Sequence, residues 1–387
     1  MDLVRNRASL VVDRTGLDAL IRVLRTEGRT IIGPVLRDRA IVPGALDTTD
    51  DLPEGWHDEQ APGRYHVRHS DSGDLFGWAV GPGSWKSAFF PARSLVWTAT
   101  QHADDPVVTE APIDAPPVAI FGARPCEVAA TAVLDRVLGG GAIADPAYRA
   151  RRDAALVLVA ECGAPANTCF CTSMGTGPGA GGTFDIALTE LPGPQGWRYL
   201  LRSGSDRGDV MLRQVTGVPA SAEMLDQRDD VLSAAASRMS RAMSASSVPS
   251  LLARNLKNPR WEEVASRCLS CGNCTMVCPT CYCSAVEDTT TIDGTVERHR
   301  RWDTCFGLGH SLLHSGPVRP TVRSRYRQWL THKLSTWHDQ FGMSGCVGCG
   351  RCIAWCPVGI DLTEEVAAIA ASDGAVPVGI EKTRARS

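Results

Sequence analysis

The sequence predicts an α/β N-terminal domain with a parallel βαβ unit, followed by a mostly α-helical domain organised around two cysteine runs. Three observations carry that prediction. Apolar segments 118–121 and 154–160 bracket a helical stretch, the strand–helix–strand order of two parallel neighbours. Two runs of one spacing lie further on, Cys268-x-x-Cys271-x-x-Cys274-x-x-x-Cys278-Pro279 and Cys346-x-x-Cys349-x-x-Cys352-x-x-x-Cys356-Pro357. The 68 positions from Cys278 to Cys346 include helical material, such as 321–336 with Trp329 and the neighbouring Trp337. A minimal two-cluster fold joins its halves far more tightly.

Taken in chain order, Leu17, Leu20, Ile21 and Leu24 have the spacing of one helix face over 17–26. Strand-like runs follow at 30–35, 65–68 and 76–80, separated by Gly, Pro and Asp turns. Residues 103–117, rich in Pro and Asp, read as a surface linker. After the strand at 118–121, Pro125 is placed for the first turn of a helix that runs from Cys126 to about Leu138. The loop 172–182 is glycine-rich but has no GxGxxG or Walker pattern at a strand-to-helix junction. Residues 220–256 turn helical, with a break at Val248-Pro249, and Met239 and Met243 read as core packing one turn apart. The domains expected are 1–220 (mixed α/β), 221–256 (helical connector), 257–365 (dicluster, with a helical insert 284–345) and 366–387 (flexible tail).

Composition narrows the function. A formal net charge of −3 gives no reason to expect nucleic-acid binding. No apolar stretch reaches membrane-spanning length, and the first residues, MDLVRNRASLVVDRTG, lack the apolar core of a signal peptide. Fifteen cysteines without a secretion signal point to metal ligation in a reducing compartment, with the cytoplasm expected.

The two runs carry the strongest chemistry. C-x₂-C-x₂-C-x₃-C-P is the run of bacterial two-cluster ferredoxins, in which the fourth cysteine ligates the other cluster. Cys268, Cys271, Cys274 and Cys356 are therefore expected to hold one [4Fe–4S] cluster, and Cys346, Cys349, Cys352 and Cys278 the other. Zinc ribbons use paired C-x₂-C knuckles instead of triplets followed by Cys-Pro. The later domain is thus expected to be a ferredoxin-like dicluster domain, with electron transfer as its expected role.

Four further cysteines meet by topology. Cys126 opens the helix after the first parallel strand, Cys162 lies just past the second, and Cys169 and Cys171 follow in the next loop. All should reach the carboxyl edge of the sheet, where open α/β sheets bind ligands. They fit a third [4Fe–4S] cluster, a structural zinc, or four uncoordinated buried thiols, the cluster being favoured. Cys281, Cys283 and Cys305 read as packing around a cluster or as substitute ligands. Arg351, inside the second run, places its charge near that cluster. Arg319, Arg323, Arg325, Arg327 and Lys333 either form a solvated face, dock an acidic partner or raise a cluster potential. His310 and His314 make no zinc motif and read as packing or surface residues.

Phe121-Gly-Ala-Arg-Pro-Cys126-Glu, Cys169-Phe-Cys171-Thr-Ser-Met-Gly, Cys278-Pro-Thr-Cys281-Tyr-Cys283, Trp302-Asp-Thr-Cys305 and Cys346-Val-Gly-Cys-Gly-Arg-Cys352 occur in this order. Over about 80–365 the sequence resembles the iron–sulfur beta subunit of soluble bidirectional [NiFe] hydrogenases, or sulfhydrogenases. The corresponding iron–sulfur subunit of anaerobic sulfite reductase is similar throughout and belongs to the same group. The resemblance implies a flavin-bearing gamma subunit that exchanges electrons with NAD(P)H. It also implies catalytic partners, either hydrogenase small and large subunits or a sirohaem sulfite reductase subunit. No nickel–iron, flavin or nicotinamide fingerprint stands in this chain, so it is expected to be non-catalytic. Two other classes remain beside it: a self-contained reductase binding a flavin or deazaflavin, and a redox sensor or scaffold with structural clusters.

Overall fold

The computed structural model describes residues 7–102, 105–141, 143–194 and 196–373. An eight-stranded sheet forms the first layer. Its order is Val218–Pro219, Ser9–Val12, Gly196–Ser203, Ile186–Gly193, Leu156–Ala160, Val118–Ala123, Thr30–Arg37, Ala40–Ala45. The four inner strands from Ile186–Gly193 to Thr30–Arg37 are parallel, and antiparallel strands finish both margins. The expected βαβ unit is present: Val118–Ala123 and Leu156–Ala160 are adjacent and parallel, with helix Pro125–Leu134 between them. Both strands are almost wholly buried and apolar, as strands covered on two faces must be. Helix Arg14–Thr26, capped by the Asp13 carboxylate on Gly16 N at 2.9 Å, packs Leu17, Leu20, Ile21 and Leu24 into the same core. Each such buried side chain contributes roughly 1.5–3 kcal/mol.

Segment 76–80 forms no strand, contrary to the expectation. Buried side chains replace the ladder. The Arg124 guanidinium donates to the carbonyls of Phe76, Trp78 and Ala79, Asp58 accepts from Ala79 N, and Glu190 accepts from Leu75 N and Phe76 N. Backbone groups satisfied in this way do not need a neighbouring strand.

Residues 103–117 are more than a linker. Asp105–Glu110 is an exposed edge strand paired with Arg93–His102. The insert 284–345 is likewise not helical throughout. Ser284–Thr290 and Val296–Trp302 form a hairpin, and the latter strand pairs with Arg93–His102 to complete a four-stranded antiparallel sheet. Thr291-Ile-Asp293-Gly294-Thr295 is the turn, an Asp-Gly hairpin signal. Apart from a short 3₁₀ turn at Gly309–Ser311, helices of the insert begin at Val322–Thr331 and continue to Trp337–Phe341. Helix therefore flanks this hairpin, at Arg260–Arg267 and Asn273–Met276 before it and from Val322 onward after it, and the sheet interleaves residues from both sides of the expected boundary.

The connector holds helices Ala222–Ser237 and Val248–Arg254. Pro249 starts the second helix, whose Val248, Leu251 and Leu252 enter the dicluster core with Trp261, Trp329 and Leu330. Of the expected tail, 366–371 belongs to helix Leu362–Ala371, and 374–387 lies outside the described residues. Among the described residues no helix is long and apolar enough to cross a membrane.

One buried ion pair ties the two halves. Arg351 Nη2 lies 2.6 Å from Glu127 Oε1, and Glu127 Oε2 accepts from Trp85 Nε1 and Arg124 N at 2.8 and 3.0 Å. Removing one partner of such a pair strands the other charge in the interior. Glu127→Ala is expected to cost about 3–5 kcal/mol in chemical denaturation; a cost below about 1 kcal/mol would show that the pair does not hold the halves together.

Candidate metal centres

The sequence repeat is also a repeat in geometry. In the first run Gly272 takes φ +75° and starts the short helix Asn273–Met276, which carries Cys274. In the second, Gly350 takes φ +73° and starts Arg351–Ala354, which carries Cys352. Ser270 N donates to Cys268 Sγ and Gly348 N to Cys346 Sγ, each at 3.4 Å. The two short helices pack on one another, so the runs face each other although Cys278 and Cys346 are 68 positions apart in the chain.

Cys268, Cys271, Cys274 and Cys356 line one cavity, walled by Phe306, Tyr326, Trp329 and Ile360 and touched by Cys352. Cys271 is exposed at its mouth. Burial, and then the neighbouring Cys268 and Cys356, push the Cys274 thiol well up.

Cys278, Cys346, Cys349 and Cys352 form the second group. Burial, followed by Cys346, Cys349 and Cys278, holds the Cys352 thiol well above its usual range. Cys346 is pushed up to about 12 by burial, with Lys333 opposing. The buried Lys333 ammonium sits 3.3 Å from Cys278 Sγ and donates to Thr280 Oγ1 and Gly345 O at 3.1 Å. Of the basic residues in the insert, Lys333 and Arg325 are buried and Arg323 is exposed. A solvated face therefore describes only part of the group.

Cys126, Cys162, Cys169 and Cys171 line one further cavity, as the sheet topology required, and Cys349 shares its wall. Cys126 opens helix Pro125–Leu134, and Cys162 follows the Leu156–Ala160 strand by two residues. Phe170 N donates to Gly348 O at 2.8 Å, which presses the Cys169–Cys171 loop onto the second run. Burial drives the Cys126 and Cys169 thiols well up, and Cys171 to about 12. Met239 Sδ stands 3.8 Å from Cys171 Sγ, so this methionine faces the site, while Met243 is core packing as expected.

The donors are thiols, the soft ligands that iron–sulfur clusters take. Metal binding displaces the thiol protons, and at Cys278 the neighbouring hydrogen bonds and the Lys333 ammonium already lower the proton affinity against burial. Gly177 leaves room beside Cys171, because a Cβ there would lie 3.0 Å from its sulfur. Arg351 donates to Gly81 O and Gly83 O at 2.9 and 3.0 Å, its buried Nη1 has no well-aligned acceptor, and its charge lowers the proton affinity of Cys349 against burial. A dry thiol cavity beside an unspent cationic donor fits an anionic sulfur cluster. Among the described residues no three His, Cys, Asp or Glu side chains close on a single-ion position.

Cys281 and Cys283 do not join these groups as ligands of a cavity. Cys281 hydrogen-bonds Cys278, and Lys86 Nζ donates to Cys281 O at 3.0 Å. Cys283 contacts Cys305 and His310, and the His310 ring nitrogen Nδ1 is 2.7 Å from Asp303 Oδ2. Of the alternatives open for Lys333, its contact with Cys278 favours the one that places its charge beside a cluster, whereas the Asp303–His310 pair was not legible as site chemistry because only tertiary packing brings it to a thiol.

Residues 267–360 match the 4Fe-4S dicluster domain family. The chain is 34% identical over 245 residues to the sulfhydrogenase 2 subunit beta of Pyrococcus furiosus, an alignment covering 62% of this chain and 71% of that protein. No solved structure matches.

A Cβ at Gly348, where φ is +65°, would meet Phe170 O at 2.6 Å and Cys171 N at 2.7 Å. Gly348→Ala is expected to cost about 1–3 kcal/mol in thermal or chemical unfolding. An unchanged midpoint would show that the two loops do not abut.

Proposed function

The chain belongs to the sulfhydrogenase beta-subunit family, and from that premise we propose that it is the electron-transfer iron–sulfur subunit of a soluble NAD(P)-linked [NiFe] hydrogenase. It relays electrons between a flavin/NAD(P)-binding subunit and the small and large catalytic subunits. One observation carries this reading. Cys352 of the second thiol group touches the first cavity and Cys349 of the same group lines the third, so the groups stand in a row with the second in the middle.

In this proposal Cys268, Cys271, Cys274 and Cys356 hold one [4Fe–4S] cluster. Cys278, Cys346, Cys349 and Cys352 hold the next, and Cys126, Cys162, Cys169 and Cys171 hold a third. When bound, the clusters supply one-electron steps whose potentials follow burial, charge and hydrogen bonding at sulfur. The protein's part is to exclude water with Phe306, Tyr326, Trp329 and Phe170 and to place Lys333 and Arg351 beside the thiolates. Exposed Leu269 and Val358 flank Cys271 at the open end of the row and supply an apolar rim for a partner.

Iron measured on the anaerobically isolated chain is expected near twelve per chain, at four per cluster. A value near eight would remove the third cluster. The double substitution Cys169→Ser and Cys171→Ser should lower the count by about four. A co-purifying partner that carries nickel supports the hydrogenase assignment, whereas one carrying sirohaem would transfer the chain to the anaerobic sulfite reductases. Lys333→Met withdraws a cation from the side that gains negative charge on reduction. Losing a charge-assisted contact worth roughly 1.5–3 kcal/mol should lower one midpoint potential by about 60–130 mV, at about 59 mV per tenfold. An EPR redox titration with no shift would separate Lys333 from any cluster.

A further inference from the structure

Cys281, Cys283 and Cys305 stand outside the three thiol groups, and two of them are arranged for chemistry of their own. Ser284 pairs with Trp302 at the end of the hairpin, and Asp303 N donates to Cys283 O at 2.8 Å. The chain therefore brings Cys283 and Cys305 off the same end of that ladder. Their thiols hydrogen-bond one another, both are half-buried and both are free. Cys283 also contacts the imidazole of His310, which Asp303 orients at 2.7 Å. Paired thiols beside a carboxylate-oriented imidazole are the parts of an activated sulfur nucleophile with a resolving partner.

We propose that Cys283 and Cys305 are a redox-active dithiol that reduces a disulfide-bonded substrate, with Cys283 attacking and Cys305 resolving. Its refilling by cluster electrons rests on the relay function proposed above. The hydrogen bond from Cys305, with His310 adding, draws the Cys283 thiol down to about 4, and the Cys283 contact holds His310 up to about 9. Attack by the Cys283 thiolate on R–S–S–R forms a Cys283–S–R bond and releases one RS⁻, which takes the imidazolium proton. Neutral His310 then accepts the Cys305 proton. The Cys305 thiolate attacks Cys283 Sγ, breaking the bond to the second RS⁻, which leaves with that proton. The protein ends as a Cys283–Cys305 disulfide, and two electrons with two protons restore the dithiol. Cys305 lies in the electrostatic field of Cys274, and Cys283 in that of Cys281 beside Cys278. The pair thus lies within electrostatic reach of the first thiol group and, through Cys281, of the second, from which those electrons would come.

The test uses the full chain, isolated anaerobically with its iron, and one equivalent of 4,4′-dithiodipyridine. Two thiopyridones should be released per chain, with a Cys283–Cys305 disulfide in the peptide mass spectrum. Cys305→Ser should release one and keep the thiopyridyl group on Cys283. Cys283→Ser should slow release by ~tenfold or more. Iron content should be unchanged in both variants. Loss of iron from either would make these residues cluster ligands and overturn the proposal, as would wild-type chain that forms no bridge. Reduced methyl viologen should then restore both thiols. Bridging without restoration, in chain whose clusters are seen by EPR to be reduced, overturns the link to the clusters. Clusters that fail to accept electrons at all would instead count against the relay function.

Discussion

The Glu127–Arg351 contact sits where the two halves of the molecule must agree. Glu127 directly follows Cys126, and Arg351 lies between Cys349 and Cys352. Two charges of opposite sign at 2.6 Å, both nearly sealed from water, fix a cysteine of the sheet edge beside a cysteine of the second run. Desolvation of such a pair is expensive unless other hydrogen bonds complete both ions. Here Trp85 and Arg124 complete the carboxylate, and Gly81 and Gly83 carbonyls take up much of the guanidinium. Because these partners come from 81–85, 124–127 and 351, the contact orders the strand end, the helix start and the cysteine loop together.

Charge balance around the thiols follows from the same placement. A cavity that binds an anionic cluster in an apolar surround opposes reduction unless cations stand close. Lys333 reaches Cys278, Arg351 lies beside Cys349 and Cys126, and Lys86 reaches the carbonyl of Cys281 with its ammonium 3.8 Å above the Trp302 ring. Burial lowers the proton affinity of Lys86, while the thiols around it oppose that effect. These three cations each come from a different part of the chain, so the charge pattern exists only in the folded state. The dithiol next to them draws on a separate device, the Asp303–His310 pair.

Much of this was legible in the order of residues. The apolar runs around 118–121 and 154–160, with a helix between them, read as a parallel pair, and their adjacency sends Cys126, Cys162, Cys169 and Cys171 to one cavity. The two runs of one spacing also share their loop geometry, with Gly272 and Gly350 at matching left-handed positions. What local pattern did not reveal was decided by distant partners. Segment 76–80 has strand composition, yet Arg124 and Glu190 take its backbone groups. Trp329 and its neighbours give the insert a helical pattern that holds only for its later part, whereas Asp293-Gly294 marks the hairpin before it. Lys333 and Met239 show the limit most clearly, since only tertiary packing aims one at Cys278 and the other at Cys171.

The central claim is that the second thiol group stands between the other two, sharing Cys352 with one cavity and Cys349 with the other. EPR of the fully reduced chain tests it most directly, comparing wild type with Cys346→Ser. The account predicts a wild-type spectrum broadened by magnetic coupling between neighbouring clusters, which resolves into two uncoupled signals when the middle group is broken. A wild-type spectrum already made of independent, narrow signals would contradict the row.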